Sequence, residues 1–343
     1  MDSQKLVSTA RELVATGRGL LAMDESTGTC NRRFAELGIA QTEEMRRAWR
    51  DLIVTAPGLG QSISGAILFD ETIRQKTLDG RPFADALKAA NIIPGIKVDE
   101  GAKDLAFHPG EKVTEGLDGL RERLKDYASL GARFAKWRAV ITPGDAIPTP
   151  ACLEVNAHAL ARYAALCQEA DIVPIVEPEV LMDGDHSLER CRAITEQALV
   201  AVFAELRVQG VLLEGMILKP NMVLPGLQCA VQDSVDDVAK ASVQTYLRAV
   251  PAAVPGIAFL SGGQPAELAT ARLNAMNVMG KAPGAPFPWH ILFSYSRAVQ
   301  QPALDLWLGK ASNVKPAQAA LLHRVRLNQA ALTGSYTAAM ERA

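Results

Sequence analysis

A single (β/α)8 barrel is the fold this sequence predicts, and three observations predict it. Eight short apolar runs recur along 343 residues. Segments with helical spacing separate them, at roughly forty residues per strand and helix. Charged residues fall at the ends of the runs, where a barrel of this kind carries its chemistry. The rival, an open doubly wound sheet, calls for a glycine fingerprint after the first strand, and no GxGxxG stands there. The chain exceeds the typical ~250 residues of such a barrel. The excess is expected as an extra N-terminal helix and a C-terminal helical segment, with a mobile stretch from about 330 to 343. No residue-level repeat, low-complexity tract or linker divides the chain, so one domain, 1–343, is expected.

The elements follow in order. The opening MDSQKLVSTARELVATG sets Leu6, Val7, Ala10, Leu13 and Val14 on one helical face. Gly19 to Asp24 is the first strand and ends in a carboxylate. The cluster Glu25 to Thr29 follows it, then the basic pair Arg32 and Arg33. Ile63 to Phe69 is the second strand and Ile92 to Val98 the third, with Lys97 near its end. Arg133 to Val140 carries Lys136 and Arg138, and Ile172 to Val180 carries Glu177 and Glu179. The sixth strand lies in Leu212 to Val223, LLEGMILKPNMV, where one lysine interrupts an apolar run. Gly256 to Gly263 and His290 to Arg297 complete the eight. Leu153 to Ala170 and Leu188 to Leu206 have helical spacing.

Composition narrows the function. The chain is 48% hydrophobic and 22% charged, enough to build a large core. A net charge of -2 with mixed signs gives no support for a nucleic-acid or membrane partner. No run is long enough to cross a bilayer and the start lacks a signal-peptide core, so a soluble, cytoplasmic protein is expected. Cys30, Cys152, Cys167, Cys191 and Cys229 form no CxxC pair and read as free thiols. His108, His158, His186, His290 and His323 lack the spacing of a zinc site, which disfavours a metal-dependent reaction.

Alternation along strands brings the charges together. Residues two apart share a face, so Lys136 and Arg138 point together while Trp137 turns toward the helices. Glu177 and Glu179 likewise share a face. Asp24, Lys97, Lys136, Glu177, Lys219 and Arg297 can then meet at one mouth, a costly gathering that suits an anionic ligand bearing a carbonyl. A lysine on a buried strand is pressed toward its neutral form, a nucleophile for Schiff-base formation; the competing reading is an amine that snorkels to water. Lys136 is expected to assist Lys219 by like-charge repulsion. Glu177 is the candidate to shuttle protons in imine formation, and Asp24 to take a proton from a substrate hydroxyl.

Two anion sites are also legible. Ser261, Gly262 and Gly263 end the seventh strand before Pro265, expected as a first helical residue, and Arg297 ends the eighth. The group from Ser26 to Thr29 with Arg32 and Arg33 is expected opposite them across the mouth. Two phosphate sites about one lysine suggest a bisphosphorylated ketose.

These residues resemble the class I fructose-1,6-bisphosphate aldolases. The motifs are LLAMDESTGT, PGIKVD, FAKWRAV, VPIVEPEVL, LKPNMV, FLSGGQ and FSYSRAVQ, in that order, with similarity from the first helix to about Thr337. The resemblance implies a Schiff base on Lys219, imine chemistry by Glu177 and Lys136, cleavage assisted by Asp24, and Glu179 in support. It implies a ketone-side phosphate on Ser261, Gly262, Gly263 and Arg297, and Ser26, Thr29 and Lys97 near the other phosphate with Arg33 lining that end. Arg138 joins the binding residues. The implied products are dihydroxyacetone phosphate and glyceraldehyde 3-phosphate, made with no metal or organic cofactor, by a homo-oligomer that is a tetramer by resemblance.

Two departures stand out. Ser296 precedes Arg297 where many relatives carry glycine, which alters a backbone donor beside the phosphate. The chain ends at Ala343, without the terminal tyrosine that serves enamine protonation in animal relatives; Tyr336 matches an internal segment and does not inherit that role. A broader sugar-phosphate range, including sedoheptulose bisphosphate, and a catalytically silent scaffold are the alternatives.

Overall fold

The computed structural model describes residues 1–15, 17–281 and 286–342. The predicted barrel is observed. Its strands are β1 (Gly19–Ala22), β2 (Ile63–Leu68), β3 (Ile93–Lys97), β4 (Phe134–Ile141), β5 (Val173–Val180), β6 (Ile217–Leu218), β7 (Gly256–Phe259) and β8 (His290–Tyr295). They pair in parallel, in sequence order, and β8 closes on β1 through Leu20 opposite Ser294. Helices pack outside, several of them started by a hydroxyl whose side chain accepts from the first turn, as with Thr149, Ser187 and Ser234.

The sixth strand is shorter than the stretch that announced it. Leu213–Gly215 is a 3₁₀ turn, and only Ile217 and Leu218 form ladder pairs. Lys219 adds one rung by donating its N–H to Val176 O at 2.8 Å. Pro220 has no N–H, so the pairing with β5 stops there, while its carbonyl still accepts from Leu260 N–H at 3.1 Å, and the lysine stands at the strand's open end. A small hairpin, Ala102–Asp104 paired with Lys112–Thr114, follows β3 and was not anticipated. It lies on the carboxyl side of the barrel and adds Ala102 to the rim of the mouth.

The N-terminal helix α1 (Ser3–Leu13) plugs the opposite end. Its Leu6, Ala10 and Leu13 join Leu20, Phe134, Val173, Ile175 and Ile217 in one buried cluster inside the barrel. Close approach requires missing side chains below it: a Cβ on Gly256 would stand 2.5 Å from Val14 Cγ1, and one on Gly65 2.6 Å from Leu13 Cδ2. Replacing Gly256 with valine is therefore expected to lower the urea midpoint, at a cost of about 1–3 kcal/mol for overpacking. An unchanged midpoint would show that the plug is not seated.

At the C-terminal end, α2 (Val314–Leu332) packs on the barrel's flank, and the last described residues form a 3₁₀ turn, Ala338–Arg342. Arg324 donates to Glu341 and so does Tyr336, through its hydroxyl at 2.8 Å. Position 343 lies outside the described residues. Among the described residues no helix is long and apolar enough to cross a membrane.

Candidate active site

The carboxyl ends of the strands enclose a cavity of about 910 Å³. Asp24, Ser26, Thr29, Arg33, Lys97, Lys136, Arg138, Glu177, Glu179, Lys219, Ser261, Gly262, Gly263, Ser296 and Arg297 all line it. Strand register explains the convergence. Lys97 lies opposite Lys136, and Arg138 opposite Glu177, so charges on three adjacent strands stand at nearly one level. Trp137 faces away, fully buried, its ring 5.5 Å from that of Tyr163 on the helix Pro150–Glu169.

At the floor four charges alternate. Lys136 Nζ lies 2.7 Å from Asp24 Oδ2 and 3.3 Å from Glu177 Oε2, while Glu177 Oε1 lies 3.1 Å from Lys219 Nζ. The Lys136 to Glu177 contact is an ion pair without hydrogen-bond alignment. All four residues are at least nine-tenths buried, so their mutual attraction is weakly screened. Direct repulsion between Lys136 and Lys219 was the expectation from sequence. Instead Glu177, on the intervening strand β5, separates the two ammonium groups, and each lysine has a carboxylate partner.

The protonation states follow. Burial opposes ionisation of Asp24, but Lys136 and Lys219 overcome it and hold the carboxyl at about 2. Burial likewise opposes ionisation of Glu177, and Lys136, Lys219 and Arg138 outweigh it, so its carboxyl also lies below the usual range. Burial disfavours the charge on Lys136, yet Asp24 and Glu177 push its ammonium well above the usual lysine range. Glu177 therefore starts as a carboxylate and must take up a proton before it can act as an acid.

Stability depends on Asp24 with a definite sign. A carboxyl depressed on folding contributes stability that is fully present above its unfolded value, 3.8, and is lost as pH falls toward 2. The contribution is about 2 kcal/mol by linkage. Between pH 5 and pH 2 the wild-type urea midpoint should fall more steeply than that of Asp24→Asn, and parallel curves would remove the assignment.

Around the floor, Arg138 donates to Glu179, and Lys97 Nζ pairs with Asp99 Oδ1 at 2.7 Å. Neither Asp99 nor Glu25 was singled out from sequence. Glu25 follows Asp24 in the loop after β1, and its side chain is held away from the floor by other partners. There its Oε1 accepts from Arg33 Nη1 at 2.8 Å, Ser296 Oγ at 2.5 Å and Gln300 Nε2 at 2.9 Å, while Oε2 pairs with Arg50 Nη2 at 3.2 Å. Burial opposes its charge, and Arg50 and Arg33 overcome it. Ser294 also reaches the cavity, with a buried hydroxyl that has no partner among the described residues.

The glycine loop after β7 is shaped by what would collide with a side chain. Gly262 has φ +56° and a Cβ there would lie 2.0 Å from Met182 Cε; one on Gly263, at φ +99°, would lie 3.3 Å from Arg297 Nη2. From the sequence, the helix after this loop is expected to begin at Pro265. It begins one residue later, Ala266–Met279, with Pro265 as its cap. The second anion group is also not opposite the first. Closure makes β1 and β8 neighbours, Arg33 Nη2 donates to Ser296 Oγ at 3.3 Å, and Thr29 and Arg33 share with Gly263 and Arg297 a further cavity of about 770 Å³. Lys97 stands apart, on β3.

The five cysteines are free, and among the described residues no three His, Cys, Asp or Glu side chains gather as a metal-binding group.

The chain as a whole is similar to known proteins. A family profile described as fructose-bisphosphate aldolase class-I matches residues 5–343. A probable class 1 fructose-bisphosphate aldolase of Xanthomonas axonopodis pv. citri is 54% identical over 98% of this chain and 99% of its own. The cytosolic fructose-bisphosphate aldolase 6 of Arabidopsis thaliana is 48% identical, covering 97% and 92%. Among solved structures, the fructose-bisphosphate aldolase of Plasmodium falciparum, crystallised with TRAP and a small-molecule inhibitor, superposes with a TM-score of 0.95. It is 47% identical over 97% of this chain and 95% of that one. With matches that run nearly end to end at about half identity, this chain belongs to the class-I fructose-bisphosphate aldolases, which are lyases.

Proposed function

We propose that this aldolase works through a Schiff base on Lys219, cleaving fructose 1,6-bisphosphate reversibly to dihydroxyacetone phosphate and glyceraldehyde 3-phosphate. The observation that carries the reading is the unbroken run Asp24, Lys136, Glu177, Lys219 on the cavity floor. Lys219 hands a proton to Glu177 across 3.1 Å. The neutral amine adds to the ketone carbon, and Glu177, now an acid, returns its proton to the departing hydroxyl as water. The resulting iminium accepts the electron pair released when the neighbouring carbon–carbon bond breaks. Asp24, an ionised base, takes the proton of the hydroxyl β to the iminium carbon, so the aldehyde leaves neutral. Lys136 pairs with both carboxylates and stabilises each charge as the proton moves.

The ketone-side phosphate is assigned to the loop Ser261, Gly262 and Gly263 with Arg297 and the backbone of Ser296. Ser26, Thr29, Lys97, Arg33 and Arg138 line the rest of the cavity and serve the remaining hydroxyls and the second phosphate. Glu179 holds Arg138 in place. Tyr336 is outside this scheme, since its hydroxyl is engaged with Glu341 on the barrel's flank. The plant relative named as cytosolic supports a cytoplasmic location, and the family resemblance supports a homotetramer, which light scattering would test.

Cleavage of fructose 1,6-bisphosphate, followed through its two triose phosphates with and without a chelator, tests the reading. Activity unaffected by the chelator is expected. Faster turnover of sedoheptulose bisphosphate would assign the broader range, and sugar-phosphate binding without cleavage would make the protein a scaffold.

A further inference from the structure

Behind the glycine loop lies a buried cation that the proposed mechanism does not use. Arg272, on the helix Ala266–Met279, is 3% exposed, and no carboxylate of the described residues lies within ion-pair distance. Its Nε has no acceptor among the described residues. Among the described residues its side chain makes one hydrogen bond, from Nη1 to Gln264 Oε1 at 2.8 Å. Gln264 is itself buried, and its Nε2 donates to Ser261 O at 3.0 Å. Its own backbone N–H reaches the same carbonyl at 3.1 Å. The side-chain chain thus runs from Arg272 through Gln264 to the first residue of the phosphate loop.

Such an arrangement is expensive for stability alone. A buried guanidinium without a carboxylate partner keeps a desolvation cost that an apolar side chain of similar volume would avoid. Burial accordingly depresses its pKa, with Asp233 offering support only at longer range. What the cation does supply is direction. With its oxygen held by Arg272, the Gln264 amide can present only its NH₂ to Ser261, which fixes that carbonyl inward. Gly262 and Gly263 line the cavity, and among the described residues their N–H groups have no backbone acceptor, so they remain available to an anion.

We propose that Arg272 is a positioning residue for phosphate recognition, acting through Gln264 to hold the Ser261–Gly263 loop in its anion-binding form. The proposal rests on the assignment of that loop as a phosphate site.

The test compares trapping of two ketones by borohydride, dihydroxyacetone phosphate and dihydroxyacetone, which share the carbonyl and differ in the phosphate. In Arg272→Met the concentration for half-maximal trapping should rise about 2- to 10-fold for the phosphorylated ketone, the worth of one hydrogen bond, and stay unchanged for the other. Arg272→Lys should recover part of the difference. A residue that served only the fold would weaken both ketones alike or neither, and either result overturns the proposal. Should Arg272→Met fail to fold, Gln264→Met cuts the same link and must show the same selective loss. Arg297→Ala is run alongside. If it loses phosphate discrimination while Arg272→Met keeps it, the inference about Arg272 fails and the phosphate site stands; if Arg297→Ala also keeps discrimination, the phosphate assignment fails and takes the inference with it.

Discussion

Replacing Lys219 with methionine is expected to abolish aldol cleavage, with a loss of roughly 10⁴-fold or more, because no other group at the floor can make the covalent intermediate. Methionine is close in length and volume, so the strand end and its rung to Val176 remain. The charge balance changes instead. Glu177 keeps Lys136 as a partner at 3.3 Å, so the carboxylate is not left alone. The variant should fold, should still bind sugar phosphates, and should form no adduct on reduction. Lys136 is the informative control. It is just as buried, but its ammonium is stabilised by Asp24 and Glu177 together, which makes it a poor nucleophile. Cleavage that survives in Lys219→Met would mean the wrong lysine has been chosen.

Glu177→Gln is the second large effect. An amide neither accepts the Lys219 proton nor returns one to the carbinolamine, so imine formation should slow by roughly 10² to 10⁴-fold, the usual worth of a positioned acid and base. Stability should fall as well, by about 3–5 kcal/mol, since two buried ammonium groups would then depend on Asp24 alone. The two losses can be separated. Below the melting transition, the stoichiometry of trapped Lys219 should remain complete while its rate drops. If the rate is unchanged and only the melting temperature moves, Glu177 is an ion-pair partner and the proton shuttle lies elsewhere.

Much of this site was legible in sequence because the barrel converts a local pattern into a place. A charge at the end of an apolar run can only lie at the carboxyl mouth, and alternation then decides which of two neighbours faces in. That reasoning placed Lys136, Glu177 and Lys219 correctly relative to Trp137. It did not reveal that Glu177 stands between the lysines, since the level of one strand against the next is set by ladder pairing such as Lys97 with Lys136. Nor did it show Thr29 and Arg33 beside Gly263 and Arg297, because residues so far apart in sequence meet only when β8 closes on β1. Glu25 and Asp99 escaped notice for a related reason. Their partners, Arg33, Arg50, Ser296 and Lys97, come mostly from other elements, and a carboxylate on a loop carries no local sign of what it will hold. The short sixth strand is simpler: Pro220 ends its pairing with β5, and the apolar residues around it lie in a 3₁₀ turn before it and irregular chain after it.

The central claim is covalent attachment at Lys219, and reduction with borohydride in the presence of dihydroxyacetone phosphate tests it most directly. Peptide mapping by mass should find one adduct, on the peptide that carries Lys219, at the same yield with and without a chelator. An adduct on Lys136 or on another lysine, or active enzyme that yields no adduct at all, would contradict the account.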